Sequence, residues 1–168
     1  MKRPALMVLA SALVALGLVV ASVASAGPTD LIGQPAPDVR ARPLENDRQV
    51  GLDAYRGRVV VLAFVATWCG ACRRMAPTFD ALQREHGEAG LTILGLTHEP
   101  RDTIRAHVAQ REPQIPWLQC TGRTALRYGA DGLPTIVVID RSGRVRAAYQ
   151  GATDDVAGRL RRAITSLL

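Results

Sequence analysis

The chain has 168 residues, of which 48% are apolar and 21% charged, and its formal net charge is +6 at neutral pH. That length suits one domain with a real core. Three cysteines exclude a disulfide-stapled scaffold, and dispersed arginines with only 4% aromatic residues exclude a stacking platform for nucleic acid.

Lys2 and Arg3 precede an apolar stretch, Ala5 to Val23, and Ala24-Ser25-Ala26 then places small residues where a signal peptidase cuts, before Gly27. Residues 1–26 read as a signal peptide and residues 27–168 as the mature domain. The alternative is an uncleaved anchor, because the apolar stretch approaches the ~20 residues that span a bilayer. No cysteine stands near the cleavage site, which argues against a lipid-modified anchor. Without Lys2 and Arg3 the net charge falls from +6 to +4. Both readings put the domain outside the cytoplasm: periplasmic, secreted, or held at the outer face of the cytoplasmic membrane. Thiol pairs oxidise readily there.

Gly27 to Asp38 holds Gly33, Pro35 and Pro37 and reads as an extended lead-in. Val39 to Leu44 and Gln49 to Leu52 pattern as a short hairpin. Asp53 to Gly57 is a turn or one helical turn. Arg58 to Ala66 is a continuous apolar run, suited to a strand covered on both faces. Ala71 to His86 reads as a helix, with Met75, Phe79 and Leu82 four and three residues apart, and Pro77 is expected to kink it.

Leu91 to Leu96 is a second strand, followed by a polar loop from Thr97 to Pro100. Asp102 to Arg111 is a helix, with Asp102 as N-cap and Ile104 and Val108 toward the core. Ile115 to Cys120 is a third strand, and Thr121 caps a helix from Arg123 to Tyr128. Pro134 opens the strand Thr135 to Ile139. Asp140 to Gly143 turns the chain, Arg144 to Tyr149 returns, and Asp154 to Leu168 is the last helix.

This order predicts an α/β fold: a central mixed sheet flanked by helices, with an N-terminal hairpin and an inserted helix–strand unit. Right-handed crossovers bring the C-terminal ends of the parallel strands to one edge. Cys69 and Cys72, the His98-Glu99 loop, Cys120 and the approach to Pro134 should share that edge.

Trp68-Cys69-Gly70-Ala71-Cys72 carries the chemistry. A dithiol between a buried strand and a helix N-terminus is placed for thiol–disulfide exchange, because orphan N–H groups and the helix dipole stabilise a thiolate. Cys69 is the expected nucleophile and Cys72, one turn in and more shielded, the resolving thiol. The alternatives for a CxxC are zinc and an inert structural disulfide. A structural zinc site takes four ligands, and Cys120 with His86, His98 and His107 does not supply that spacing, so no metal site is expected.

Val59 to Arg73, VVVLAFVATWCGACR, resembles the active-site strand and helix of the thioredoxin superfamily. Ile32-Gly33-Gln34-Pro35-Ala36-Pro37-Asp38, the inserted helix and strand from Asp102 to Cys120, and Thr135 to Gly143 are similar to its extracytoplasmic TlpA/ResA-type branch, which overlaps in pattern with peroxiredoxins. The resemblance implies a thioredoxin-like fold over 27–168 and a redox-active Cys69–Cys72 disulfide with no other cofactor. It also implies that Trp68 shields the site and that Leu133-Pro134-Thr135 forms the substrate-side loop, with Pro134 cis and the Leu133 backbone left to pair with substrate. The implied activity is reduction of disulfides in exported proteins, such as the haem-attachment cysteines of apocytochrome c or copper-site thiols, with electrons from a membrane dithiol donor.

The departures leave direction open. Ala63 stands where cytoplasmic thioredoxins carry a buried carboxylate, and Gly70-Ala71 is neither the dipeptide of thioredoxins nor that of strong oxidants. The peroxidatic PxxxTxxC pattern is missing. A disulfide oxidase or isomerase is the alternative among enzymes, and a thiol metallochaperone or redox-inactive module the alternative among binding proteins. Cys120 reads as a small buried hydrophobe about 10 Å from the CxxC strand, from two strand spacings. His98 and Glu99 are candidates for a general base or a substrate contact. His86 and His107 read as surface residues and Trp117 as core.

Overall fold

Val59 to Phe64 becomes the central strand because both of its faces are apolar. In the computed structural model, which describes residues 27–168, Val59, Val61 and Ala63 enter one core layer, while Val60, Leu62 and Phe64 enter the other. The leader falls outside the described residues.

The strands are β1 (Ala41–Pro43), β2 (Val59–Phe64), β3 (Leu91–Thr97), β4 (Trp117–Cys120), β5 (Thr135–Ile139) and β6 (Val145–Gln150). They form one sheet in the order β1-β4-β3-β2-β5-β6. The β2–β3 and β3–β4 pairs are parallel, and β1, β5 and β6 join antiparallel. The helices are α1 (Gly70–His86), α2 (Arg101–Arg111), α3 (Gly122–Arg127) and α4 (Asp154–Thr165). The mixed α/β architecture expected from the sequence is the one observed.

Met75, Phe79 and Leu82 of α1 pack with Val156, Leu160 and Ile164 of α4 on the first face of the sheet. Burying each such side chain stabilises the fold by roughly 1.5–3 kcal/mol. The helix α1 runs through Pro77 to His86. On the second face Tyr128 is fully buried, sits 5.3 Å from the Phe64 ring, and donates its hydroxyl to Pro37 O. That bond ties the lead-in segment to the end of α3.

Three expectations change. The lead-in is not extended throughout, since Pro28–Leu31 forms a 3-10 turn. The N-terminal hairpin closes over a single bridge, Ala41 with Val50, while β1 pairs antiparallel with β4 instead. Arg101 accounts for this: its guanidinium donates to the carbonyls of Pro43, Leu44 and Asn46 and to Asp47, organising the loop that a longer hairpin would occupy. Helix α2 also begins one residue early, with Pro100 at the N-cap, so Asp102 lies in the first turn and pairs with Arg105 at 3.1 Å. A carboxylate there still complements the helix dipole.

Candidate active site

Strand β2 ends at Phe64, and five residues later Cys69 caps α1. Cys69 and Cys72 are joined by a disulfide. The Cys69 sulfur accepts the Cys72 N–H at 3.0 Å, and the Cys69 carbonyl accepts the Arg73 N–H at 3.1 Å. An N-cap normally supplies an oxygen to an orphan N–H; here sulfur takes that place, and the same N–H would stabilise a Cys69 thiolate once the disulfide is reduced.

Both cysteines are 5% exposed, so Cys72 is not the more shielded residue overall, contrary to expectation. What separates them is the space each adjoins. Cys69 borders an open groove of about 560 Å³ whose walls include Trp68, Gly70, His98, Cys120 and Leu133. Cys72 borders a separate cavity of about 210 Å³ beneath α1, whose walls include Arg73, Asp80, His107, Arg111 and Trp117. Sequence reasoning missed His107 and Trp117 as site residues. His107 stacks on Trp117 with ring centroids 4.7 Å apart, so neither is merely a surface or a core residue. No local signal marks them, because their place depends on α2 packing on β4.

The loop after β3 splits the two residues read together as base or contact. His98 is exposed and borders the groove. Glu99 turns inward: its carboxylate accepts the Thr67 N–H at 2.8 Å, the Thr67 hydroxyl at 2.7 Å and the Thr97 hydroxyl at 3.0 Å. Gln119 donates to the Glu99 carbonyl at 2.9 Å. Burial alone would raise the Glu99 carboxyl, yet the hydrogen bonds from Thr67 and Thr97 and the nearby His98 outweigh it, leaving the group below its ordinary value. Glu99 thus clamps the backbone two residues before Cys69, with three of its roughly four lone-pair sites already taken. Thr67 is the third residue that sequence reasoning passed over.

On the groove's far wall the Leu133–Pro134 peptide bond is cis and Pro134 is buried. Leu133 is half-buried and lines the groove, and its backbone N–H and C=O take no part in hydrogen bonds among the described residues. Thr135 is fully buried and donates its hydroxyl to Gly132 O at 2.7 Å, so its side chain supports the loop from within. Trp68 stands out from the surface, 69% exposed, beside Cys69. Cys120 is free and buried on β4, two strands from β2 across β3, as the spacing argument placed it. It also reaches the groove wall, where burial pushes its thiol up to about 11. Among the described residues no group of three or more His, Cys, Asp or Glu is arranged to hold a metal ion.

Residues 32–148 match the AhpC/TSA family. The thiol-disulfide oxidoreductase ResA of Bacillus thuringiensis subsp. konkukian is 30% identical over 122 residues, spanning 71% of this chain and 70% of that one. The thiol:disulfide interchange protein HelX of Rhodobacter capsulatus is 28% identical over 137 residues, spanning 79% and 76%. Among solved structures, a proposed thiol:disulfide interchange protein DsbE from Chlorobium tepidum superposes with a TM-score of 0.74 at 27% identity, over 79% of this chain and 94% of that one.

Proposed function

The chain belongs to the AhpC/TSA family and is a thiol–disulfide oxidoreductase, and we propose that it works outside the cytoplasm, reducing disulfides of exported proteins through Cys69 and Cys72. The observation that carries this reading is the Cys69 sulfur, which caps α1 at the mouth of an open groove. The reduced pair attacks a target disulfide through the Cys69 thiolate, and Cys72 resolves the mixed disulfide. Trp68 and the Leu133 backbone flank the attacking sulfur and hold an extended target segment beside it, Leu133 by strand-like hydrogen bonds. Pro134 and Thr135 support that wall.

The leader pattern of residues 1–26 supports export or anchoring at the outer face of the cytoplasmic membrane, with residues 27–168 as the working domain. Electrons then come from a membrane dithiol donor, and the targets are thiols of exported proteins such as apocytochrome c or copper-site proteins. The uncharged Gly70-Ala71 dipeptide supports a reductant, since no histidine stands between the cysteines to stabilise the thiolate further. Insulin reduction with dithiothreitol tests the activity, and turnover that disappears in Cys69→Ser is expected. Absence of turnover by the intact protein would sink the reading. The reduction potential tests direction: a reductant lies near the thioredoxin value of about −270 mV, an oxidase near about −120 mV.

A further inference from the structure

Resolution requires Cys72 as a thiolate, yet Cys72 is only 5% exposed, and among the described pockets it lines the one between α1 and α2. That pocket offers its proton a way out. At about 210 Å³ that cavity has room for several waters. Four ionisable side chains line it: Arg73 and Asp80 from α1, and His107 and Arg111 from α2. The arginines stay protonated. Asp80 already accepts the Gln114 N–H at 2.9 Å. Glu99, the nearest charge from the β3–α2 loop, is committed to Thr67 and Thr97. Only the imidazole exchanges a proton near neutral pH.

The ring of His107 is held in place. It stacks on Trp117, and Trp117 lies close over β3 because Gly95 has no side chain; a Cβ there would stand 3.2 Å from the indole. An aromatic shelf on the inserted helix–strand unit thus presents an imidazole to the space behind the resolving sulfur.

We propose that His107 is the proton acceptor for Cys72, taking the thiol proton through water in the rear cavity during resolution. This rests on the thiol–disulfide reading above. The Cys69 thiolate attacks one sulfur of the target disulfide; the target S–S bond breaks and the leaving sulfur takes the electron pair and a proton from solvent. The Cys72 proton passes to His107. The Cys72 thiolate then attacks the Cys69 sulfur, the Cys69–target bond breaks, and the second target sulfur leaves with its electron pair and is protonated by solvent. Two electrons have moved from the protein dithiol to the target, which ends as a dithiol, and His107 returns its proton to water. Burial lowers the His107 imidazole, Arg111 and Arg73 lower it further, and Glu99 opposes them; the net shift is downward, so the ring is neutral and able to accept at neutral pH.

The test is single-turnover mixing of the reduced protein with a peptide disulfide, comparing wild type with His107→Gln. The first phase, formation of the mixed disulfide, should stay within about twofold. The second phase, release of the peptide dithiol, should slow by about tenfold or more, with the mixed disulfide accumulating in the mass spectrum. The wild-type second phase should rise with pH through the imidazole range, below about 6.5, and that rise should vanish in the variant, whose rate climbs only toward the thiol range near about 8.5. A second phase within twofold and an unchanged pH profile would overturn the proposal. Equal slowing of both phases would also overturn it, pointing to a structural role. Failure of the wild type to transfer electrons to the peptide at all would instead remove the thiol–disulfide reading on which the proposal stands.

Discussion

The two sulfurs of one disulfide open onto unlike surroundings. In front, Cys69 borders a groove of about 560 Å³ built from loops and strand ends, with an exposed indole and an exposed imidazole on its rim. Behind, Cys72 borders a smaller pocket of about 210 Å³ lined by residues of α1 and α2 and by Trp117. The larger, loop-built space suits a polypeptide target, whereas the smaller space with its one imidazole suits water and a proton. In the proposed mechanism attack and resolution, chemically the same exchange, take place in separate environments within one helical turn.

Serine substitutions break the pair most completely. Cys69→Ser should bring insulin reduction to background, because the one thiol left in the groove wall, Cys120, is buried and held protonated. Cys72→Ser should still attack once and then keep the target as a stable adduct, visible by mass spectrometry.

Glu99→Gln probes the clamp between the two sides. Loss of the charged acceptor for Thr67 should lower kcat/KM about tenfold and stability by about 1–2 kcal/mol, read from turnover and urea melts. The pH dependence carries a sign. Because the folded Glu99 carboxyl lies below its ordinary 4.5, its contribution is fully present above that value and is lost as pH falls through the lower folded value. Stability of Glu99→Gln should therefore fall less steeply on the acid side than that of the wild type. Identical slopes would dismiss the clamp.

Trp68→Ala sharpens the front side alone. It should raise KM for a protein substrate about fivefold while leaving reaction with a small aromatic disulfide within about twofold, since only a polypeptide is long enough to lie on the indole. The smallest effect is expected at Cys120→Ala, with activity within about twofold and stability lower by about 1 kcal/mol. The Cys120 thiol, pushed up to about 11, should resist iodoacetamide in the folded protein at pH 8.

The sequence announced the front side far better than the rear. The apolar run Val59 to Phe64, the capping position of Cys69 and the strand opened by Pro134 are local patterns, and each survives in the fold. His107 and Trp117 lie ten residues apart, on a helix and a strand, and only the packing of α2 on β4 joins them in the pocket beside Cys72. Glu99 was legible as an acidic loop residue, but its partner Thr67 is 32 positions away. The short hairpin was misjudged for a similar reason: Arg101 reaches back to residues 43–47 and settles that loop by hydrogen bonds that no periodicity records.

Mapping the first adduct tests the division of labour most directly. Reduced Cys69→Ser and reduced Cys72→Ser are each mixed with a peptide disulfide at neutral pH, and the rate of adduct formation is followed by mass spectrometry. Rapid adduct formation at Cys69 in Cys72→Ser, with Cys72 in Cys69→Ser slower by about a hundredfold or more, is the predicted result. Equal rates at the two sulfurs would contradict it.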